Sequence, residues 1–264
     1  MRDRSSEINE ASIFAISRSE TNTLLGWGDK FVKNPSNLTN RIDSISDNGF
    51  KYIVVSHENA LGHPFIDGGK SLYPSASELI GKYRDYLSPY DVHFVFYIRD
   101  AADFLESYYI QTVQEGSGKS FRKWLQSYGD FEYLSWRPLV EAIKLANFNS
   151  YSILNFSDSI RQGQKQFIAQ FLSTFMEDTA NLPKIDYIAS RNISVGALGL
   201  KLLKACNKHV TTAEERKLLR KFFQANFNNT KYEKPKLLSE DQRTFILQKY
   251  GEELVNLTHP VDHD

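Results

Sequence analysis

The hydrophobic pattern changes its period in the middle of the segment HFVFYIRDAADFLESYYIQ, residues 93–111. Residues 93–98 form an apolar run rich in aromatic and β-branched residues, which predicts a buried strand. From Asp100 onward the apolar residues recur at helical spacing, which predicts a helix. Arg99 is therefore expected at the carboxyl end of a strand, and Ser107 two turns into the helix that follows.

Similar patterns predict further strands and helices along the chain. The short runs KYIVVS (51–56) and SYSILNFS (150–157) have the composition of strands. Ser75 followed by Glu78 predicts a helix that opens with a capping box. Helical spacing predicts helices at 75–88, 120–130, 133–147, 164–176, 195–210, 212–226 and 239–257.

Strands that alternate with helices in the first 180 residues predict an α/β fold, a parallel sheet flanked by helices. The last third is expected to be helical and to form either a cap on the sheet or a small lid. We expect one domain over 1–264, with an atypical N-terminal region at 1–50, an α/β core at 51–180 and a helical part at 190–258.

Composition excludes several classes of partner and compartment. The 264 residues carry 32 Lys and Arg and 32 Asp and Glu, and this zero net charge argues against nucleic-acid or anionic-membrane binding. The single Cys206 excludes an internal disulfide and a cysteine-rich zinc site. We expect no metal. No run approaches about 18 apolar residues, and MRDRSSEINEASIF lacks a signal-peptide core. We therefore expect no transmembrane segment and a cytoplasmic location.

Two interpretations of Arg99 are open from the residues alone. Its guanidinium could pair with Asp100 or Asp103, or it could simply reach solvent at the rim of the sheet. Alternatively it could bind an anion, because ligands of parallel sheets bind at the carboxyl ends of the strands. Ser107 shares the helix face of Asp103, so arginine and serine could donate to one phosphate group.

The segment YIRDAADFLESYY resembles the 3′-phosphate-binding motif of sulfotransferases, in particular bacterial carbohydrate sulfotransferase-like families. In that motif an arginine closes a strand, and a serine follows eight residues later. The resemblance implies a sulfotransferase fold of the P-loop-like type, PAPS as sulfate donor and PAP as product. It implies that Arg99 and Ser107 bind the 3′-phosphate, and that the acceptor is a hydroxyl of a carbohydrate or polysaccharide.

Two further segments are similar to these families. YIVVSHENALG ends its strand in His57 and Glu58, where the family carries its general base, a histidine or a glutamate. SRNISVGALGLKLLKACN resembles a late segment that opens a helix, which implies that Arg191 and Ser194 close over the nucleotide. The residues alone allow other roles: His57 and Glu58 could simply end the strand, and Ser194 could be an N-cap.

The resemblance covers roughly residues 10 to 258 and omits one diagnostic element. Sulfotransferases open with a strand and a glycine-rich loop with a lysine, which holds the 5′-phosphosulfate. GWGDKF (26–31) lacks the hydroxyl residue after the lysine, and no clear strand precedes it. Gly69-Lys70-Ser71 is instead expected in a flexible surface loop, because Pro64 stands where the partner glycine is needed. Two explanations stay open: an upstream segment carries the loop, or the chain has lost it.

Three functions follow, in order of preference. The first is a sulfotransferase-like protein, incomplete or inactive if the loop is absent. The second is a non-catalytic homologue that binds nucleotide or sugar. The third is an α/β glycosyltransferase, although no Asp-x-Asp motif follows a strand. Five aromatic residues are candidates for sugar stacking or, more commonly, for the core: Tyr108, Tyr109, Trp124, Tyr133 and Trp136.

Overall fold

The computed structural model describes residues 6–8, 13–25, 35–57, 60–66, 69–176 and 193–258. In these ranges, helices predominate over short strands. The strands are β1 (Ser6–Ile8), β2 (Ile13–Ile16), β3 (Tyr52–Val55), β4 (His93–Ile98) and β5 (Ser150–Asn155). The helices are α1 (Arg18–Leu25), α2 (Pro35–Ser46), α3 (Ala76–Leu87), α4 (Ala101–Gln114), α5 (Phe121–Gln126), α6 (Arg137–Leu145), α7 (Phe156–Arg161), α8 (Gln164–Ser173), α9 (Ala197–Cys206), α10 (Ala213–Asn226) and α11 (Glu240–Thr258).

The described strands form two small sheets rather than the single parallel sheet that the sequence predicts. In the first, β2 pairs with β3 in parallel and with β1 in antiparallel orientation. In the second, β4 and β5 pair in parallel over six residues, and Ile98 lies opposite Asn155. The mixed α/β class and the three predicted strands are confirmed. Which strands pair is decided by side-chain packing between elements, which a strand's own sequence does not encode.

Side chains, rather than backbone hydrogen bonds, connect the two sheets. One core cluster is built around β5, α4, α6, α9 and α11, and a second around β2, α1, α2 and β3. Helix α3 contributes to both, because Ile80 is buried in the first cluster and Tyr83 in the second. Phe148 packs against both clusters and stacks on Phe94 with ring centroids 5.1 Å apart.

The C-terminal helices cap the second sheet. Helix α11 packs on α4, α6 and β5, while α9 packs on α4 and α10. Glu253 of α11 accepts hydrogen bonds from the backbone N–H groups of Trp136 and Arg137 at 2.6 and 3.0 Å. It thereby satisfies donors at the start of α6 that have no partner within the helix. Of the two predicted arrangements, cap and lid, these contacts match the cap.

The N-terminal region contains a strand and helices that the sequence analysis did not predict. Strand β2 precedes α1 and lies parallel to β3, with Ile16 opposite Val55. Helix α1, which ends at Leu25, separates β2 from GWGDKF, so no strand leads directly into that segment, as the sequence analysis expects. Ser17 caps α1, because its Oγ accepts the N–H of Glu20 at 3.2 Å. The apolar run IFAI was the available signal for β2, because a short continuous apolar run is consistent with a buried strand.

Two local predictions are also corrected. Ser75 occupies the N-cap position of α3 but its side chain makes no cap hydrogen bond, since Glu78 pairs with Lys82 at 2.6 Å instead. Gly69, Lys70 and Ser71 lie in a loop and Lys70 is exposed, as expected, but the loop between β3 and α3 is anchored in the core. Leu61 and Leu72 of this loop are almost completely buried in the first core cluster.

Candidate anion site at the end of strand β4

Arg99 lies between β4 and α4, at the edge of the second sheet where both parallel strands end. Ile98 is fully buried. Asp100 begins α4, because its Oδ1 accepts the N–H of Asp103 at 2.9 Å. The carbonyl of Arg99 accepts a hydrogen bond from Trp136 Nε1 at 2.9 Å. The backbone of Arg99 is therefore fixed from both sides, and the predicted strand–arginine–helix junction is confirmed as local structure.

The guanidinium of Arg99 is partly desolvated and forms no hydrogen bond or ion pair with a residue that the structure describes. Its Nε is buried and forms no hydrogen bond with any residue that the structure describes. Its Cζ lies 5.6 Å from the centre of the Phe156 ring, which begins α7. Burial lowers the pKa of Arg99, while the nearby charges of Asp103 and Asp100 raise it. A half-buried cation of this kind is stabilised by an additional anion.

The acidic residues beside Arg99 are already used by another arginine. Arg243 of α11 forms ion pairs with Asp103, at 2.8 Å, and with Glu106. The second oxygen of Glu106 accepts the N–H groups of Leu237 and Leu238 at 2.7 and 2.9 Å. Of the two interpretations of Arg99, pairing with Asp103 is therefore not the arrangement in the described residues, because Arg243 takes that carboxylate.

Tyr97 is a member of this site that the sequence analysis missed. Its ring is 6.2 Å from that of Phe156 and stacks on Phe167 at 5.1 Å. Its hydroxyl is buried without a hydrogen-bond partner among the described residues, and burial raises its pKa to about 12. Tyr97 and Arg99 are two residues apart on an extended chain, so they point to the same side. That alternation was the available signal.

Ser107 lies on α4 as predicted and its side chain is exposed. It lies one helical turn after Asp103, on the same face of α4. The charge of Asp103 raises the pKa of Arg99, so this face is near the guanidinium. At the end of β5 the N–H groups of Ser157 and Asp158 are already used, because Asn155 Oδ1 accepts them at 3.0 and 3.4 Å. An anion at this edge would therefore be bound by side chains, with Arg99 as the cation.

The remaining candidate residues lie elsewhere or outside the described residues. His57 follows β3 in the other sheet, and its Nδ1 shares a hydrogen bond of 2.9 Å with Tyr83 Oη. Burial raises the pKa of Tyr83. Glu58 and Arg191 lie outside the described residues. Ser194 accepts the N–H of Asn229 through its carbonyl at 2.9 Å.

The suggestion that Ser194 is an N-cap is wrong, because Gly196 occupies the N-cap position of α9. Among the candidate aromatics, Tyr109, Trp124 and Trp136 are buried in the first core cluster, so the core interpretation holds for these three. Within the described ranges, no three His, Cys, Asp or Glu side chains form a group that could hold a metal ion. Of the described helices, none has the length and hydropathy needed to cross a membrane.

Comparisons of the chain with models of known protein families, with curated proteins and with solved structures find no match.

Proposed function

We propose that this chain is a sulfotransferase-like protein that binds the 3′-phosphate of PAPS through Arg99 and acts on a hydroxyl of a carbohydrate. The observation that carries the proposal is the partly desolvated guanidinium of Arg99, whose Nε is buried and which forms no hydrogen bond or ion pair with a described residue. A phosphate there would receive a bidentate, charge-assisted contact. The buried hydroxyl of Tyr97 and the exposed hydroxyl of Ser107 are additional donors.

The proton-transfer role in this proposal belongs to His57 or Glu58. An acceptor hydroxyl must lose its proton as it attacks sulfur, and a base with a pKa near neutrality serves best. If Nδ1 of His57 carries the hydrogen and donates to Tyr83 Oη, Nε2 is the basic atom of the ring. The hydrogen bond then fixes the orientation of the ring. Glu58, the next residue, is the alternative base.

A second candidate function, non-catalytic nucleotide or sugar binding, is favoured by the connection between β2 and α1. One residue, Ser17, separates the strand from the helix, and its side chain caps the helix itself. The described residues 13–25 include no glycine and no lysine. They therefore lack the glycine-rich cradle and the lysine with which sulfotransferases hold the 5′-phosphosulfate. Loss of one such donor typically costs about 100-fold or more in rate.

Two measurements on the same protein separate these functions. The first is binding of PAP, followed by the shift in melting temperature, with AMP as the ligand that lacks the 3′-phosphate. The second is transfer of radiolabelled sulfate from PAPS to a panel of oligosaccharides. If the chain is an enzyme, PAP but not AMP should raise the melting temperature, and sulfate transfer should fall in His57→Gln or Glu58→Gln. The non-catalytic homologue predicts the shift without turnover. Equal shifts with PAP and AMP, or none with either, would contradict both.

A further inference from the structure

Three lysines surround a cavity on the side of α4 away from the strand ends. The cavity has a volume of about 210 Å³ and lies between α4, α5, α9 and the segment before α11. Tyr109 and Phe121 line it as aromatic surface, and Lys201, Lys204 and Lys236 supply its charged groups. None of the described residues that line it is acidic. The cavity therefore combines an apolar wall with three positive charges.

The lysines of α9 are held close together by the helix. Lys201 and Lys204 are three residues apart on α9, so their side chains lie on one face. Like charges at this spacing repel each other. Neither forms an ion pair with a residue that the structure describes. An anion between them would relieve this repulsion, because it pairs with both ammonium groups.

The third lysine is presented by a segment whose backbone is anchored on two sides. Leu237, the residue after Lys236, donates its N–H to Glu106 of α4 at 2.7 Å. Earlier in the same segment, the carbonyl of Glu233 accepts the N–H of Ala197, the first residue of α9, at 2.8 Å. The backbone that carries Lys236 is therefore fixed across the cavity from α9.

We propose that this cavity binds a ligand with two or more sulfate or phosphate ester groups on a small ring. Ammonium groups are compact charges that pair with such oxygens, and the ring of Phe121 offers apolar contact to the ligand's ring. The lining includes no carboxylate or side-chain amide that would select neutral hydroxyls. The volume is below the roughly 300–1,000 Å³ of pockets for drug-sized ligands, so one ring fits.

This site is separate from Arg99 and does not rest on the function proposed above. Tyr109 lies eight residues after Ala101, the start of α4, which is about 12 Å along the helix axis. The carboxylates beside Arg99, Asp103 and Glu106, pair with Arg243 rather than with these lysines. Variants of the cavity are therefore expected to leave PAP binding at Arg99 unchanged.

The test is isothermal titration of the full chain with myo-inositol hexasulfate, with myo-inositol hexakisphosphate and with myo-inositol. The proposal predicts saturable binding of one or both polyanions and none of myo-inositol. The triple variant Lys201→Gln, Lys204→Gln, Lys236→Gln should lower the affinity on the order of tenfold. Lys236→Gln alone should lower it by a smaller factor. A preference for one polyanion identifies the ester as sulfate or phosphate.

A matched variant controls for general electrostatic attraction. A second cavity, of about 240 Å³, is lined by Arg216, Lys217 and Arg220, but Glu115 lies among them. Replacing these three basic residues with glutamine removes the same charge and should change the affinity by less than about twofold. Equal losses in the two triple variants, or no saturable binding of either polyanion, would overturn the proposal.

Discussion

The guanidinium carbon of Arg99 lies 5.6 Å from the centre of the Phe156 ring, so the last residue of one strand–helix junction rests on the first residue of the adjacent helix. A cation over an aromatic face gains about 0.5–1 kcal/mol at exposed sites and more when desolvated. That gain does not replace the hydrogen bonds that a guanidinium makes with water. The contact therefore positions the charge at the sheet edge without neutralising it.

Replacing Arg99 with methionine should leave the free energy of unfolding unchanged or increase it when no ligand is present. The substitution keeps an apolar chain against Phe156 and removes a desolvated charge that has no ion-pair partner among the described residues. Urea unfolding at neutral pH measures this. Arg243→Met is the comparison, because it deprives the 12%-exposed carboxylate of Glu106 of its partner. It should cost about 1–3 kcal/mol. A loss of that size in Arg99→Met would indicate a structural ion pair.

Replacing Tyr97 with phenylalanine should lower the affinity for PAP without lowering the free energy of unfolding. Its hydroxyl is buried without a hydrogen bond to a described residue, so its removal should change the free energy of unfolding by less than about 0.5 kcal/mol. With a pKa of about 12, the phenol is protonated at neutral pH and can donate to an anion. PAP affinity should therefore fall several-fold. If stability falls and PAP affinity does not, the hydroxyl serves folding rather than the ligand.

Replacing Ser107 with alanine tests the second predicted phosphate contact. The side chain is exposed on α4, so the melting temperature without ligand should be unchanged. A hydrogen bond to a charged group contributes about 1.5–3 kcal/mol, so PAP affinity should fall about tenfold or more. Ser77→Ala, at an exposed position of α3, is the matched control and should have no effect. Identical PAP affinities in the two variants would remove Ser107 from the site.

The pH dependence of stability should contain a contribution from His93 at the start of β4. Burial lowers the pKa of His93, although Asp91 opposes this, and the ring hydrogen-bonds with Ser150 and Ser152 of β5. The folded state therefore binds the proton less readily than the unfolded state, whose histidine titrates near about 6.5. The contribution of His93 to the free energy of unfolding should therefore be fully present above that pH and be lost as the pH falls below it. Urea unfolding at about pH 7.5 and about 5.5 should show a smaller loss in His93→Gln than in wild type. An equal loss would assign the effect to other groups.

The long periodic helices and the apolar strands β3, β4 and β5 could be predicted from the sequence, whereas the pairing of strands could not. The helices from α8 to α11 appear near their predicted bounds because their apolar stripes extend over two turns or more. Strand β2 and helix α1 were missed, although Ser17 followed by Glu20 is a capping-box spacing. The pairing of β3 with β2 was missed because partner choice depends on packing between distant segments.

The candidate site could be predicted only where its residues carry a local signal in the sequence. Arg99 could be found because a charge interrupts an apolar run at a strand end, a purely local signal. Arg243, which pairs with Asp103, is 140 residues away from it along the chain. This pairing could not be predicted from sequence patterns. Tyr97 appeared to be one more apolar strand residue, since only its environment reveals a buried hydroxyl without a partner among the described residues.

The most direct test of the central claim is the dissociation constant of PAP measured by isothermal titration in wild type, Arg99→Ala and Arg161→Ala. Arg161, on α7, is 78% exposed and pairs with Asp158, so it controls for loss of an arginine near the site. The account predicts that Arg99→Ala weakens PAP binding about 10- to 150-fold, that Arg161→Ala leaves it unchanged, and that AMP binding is insensitive to both. Unchanged PAP affinity in Arg99→Ala, or an equal loss in both variants, would contradict it.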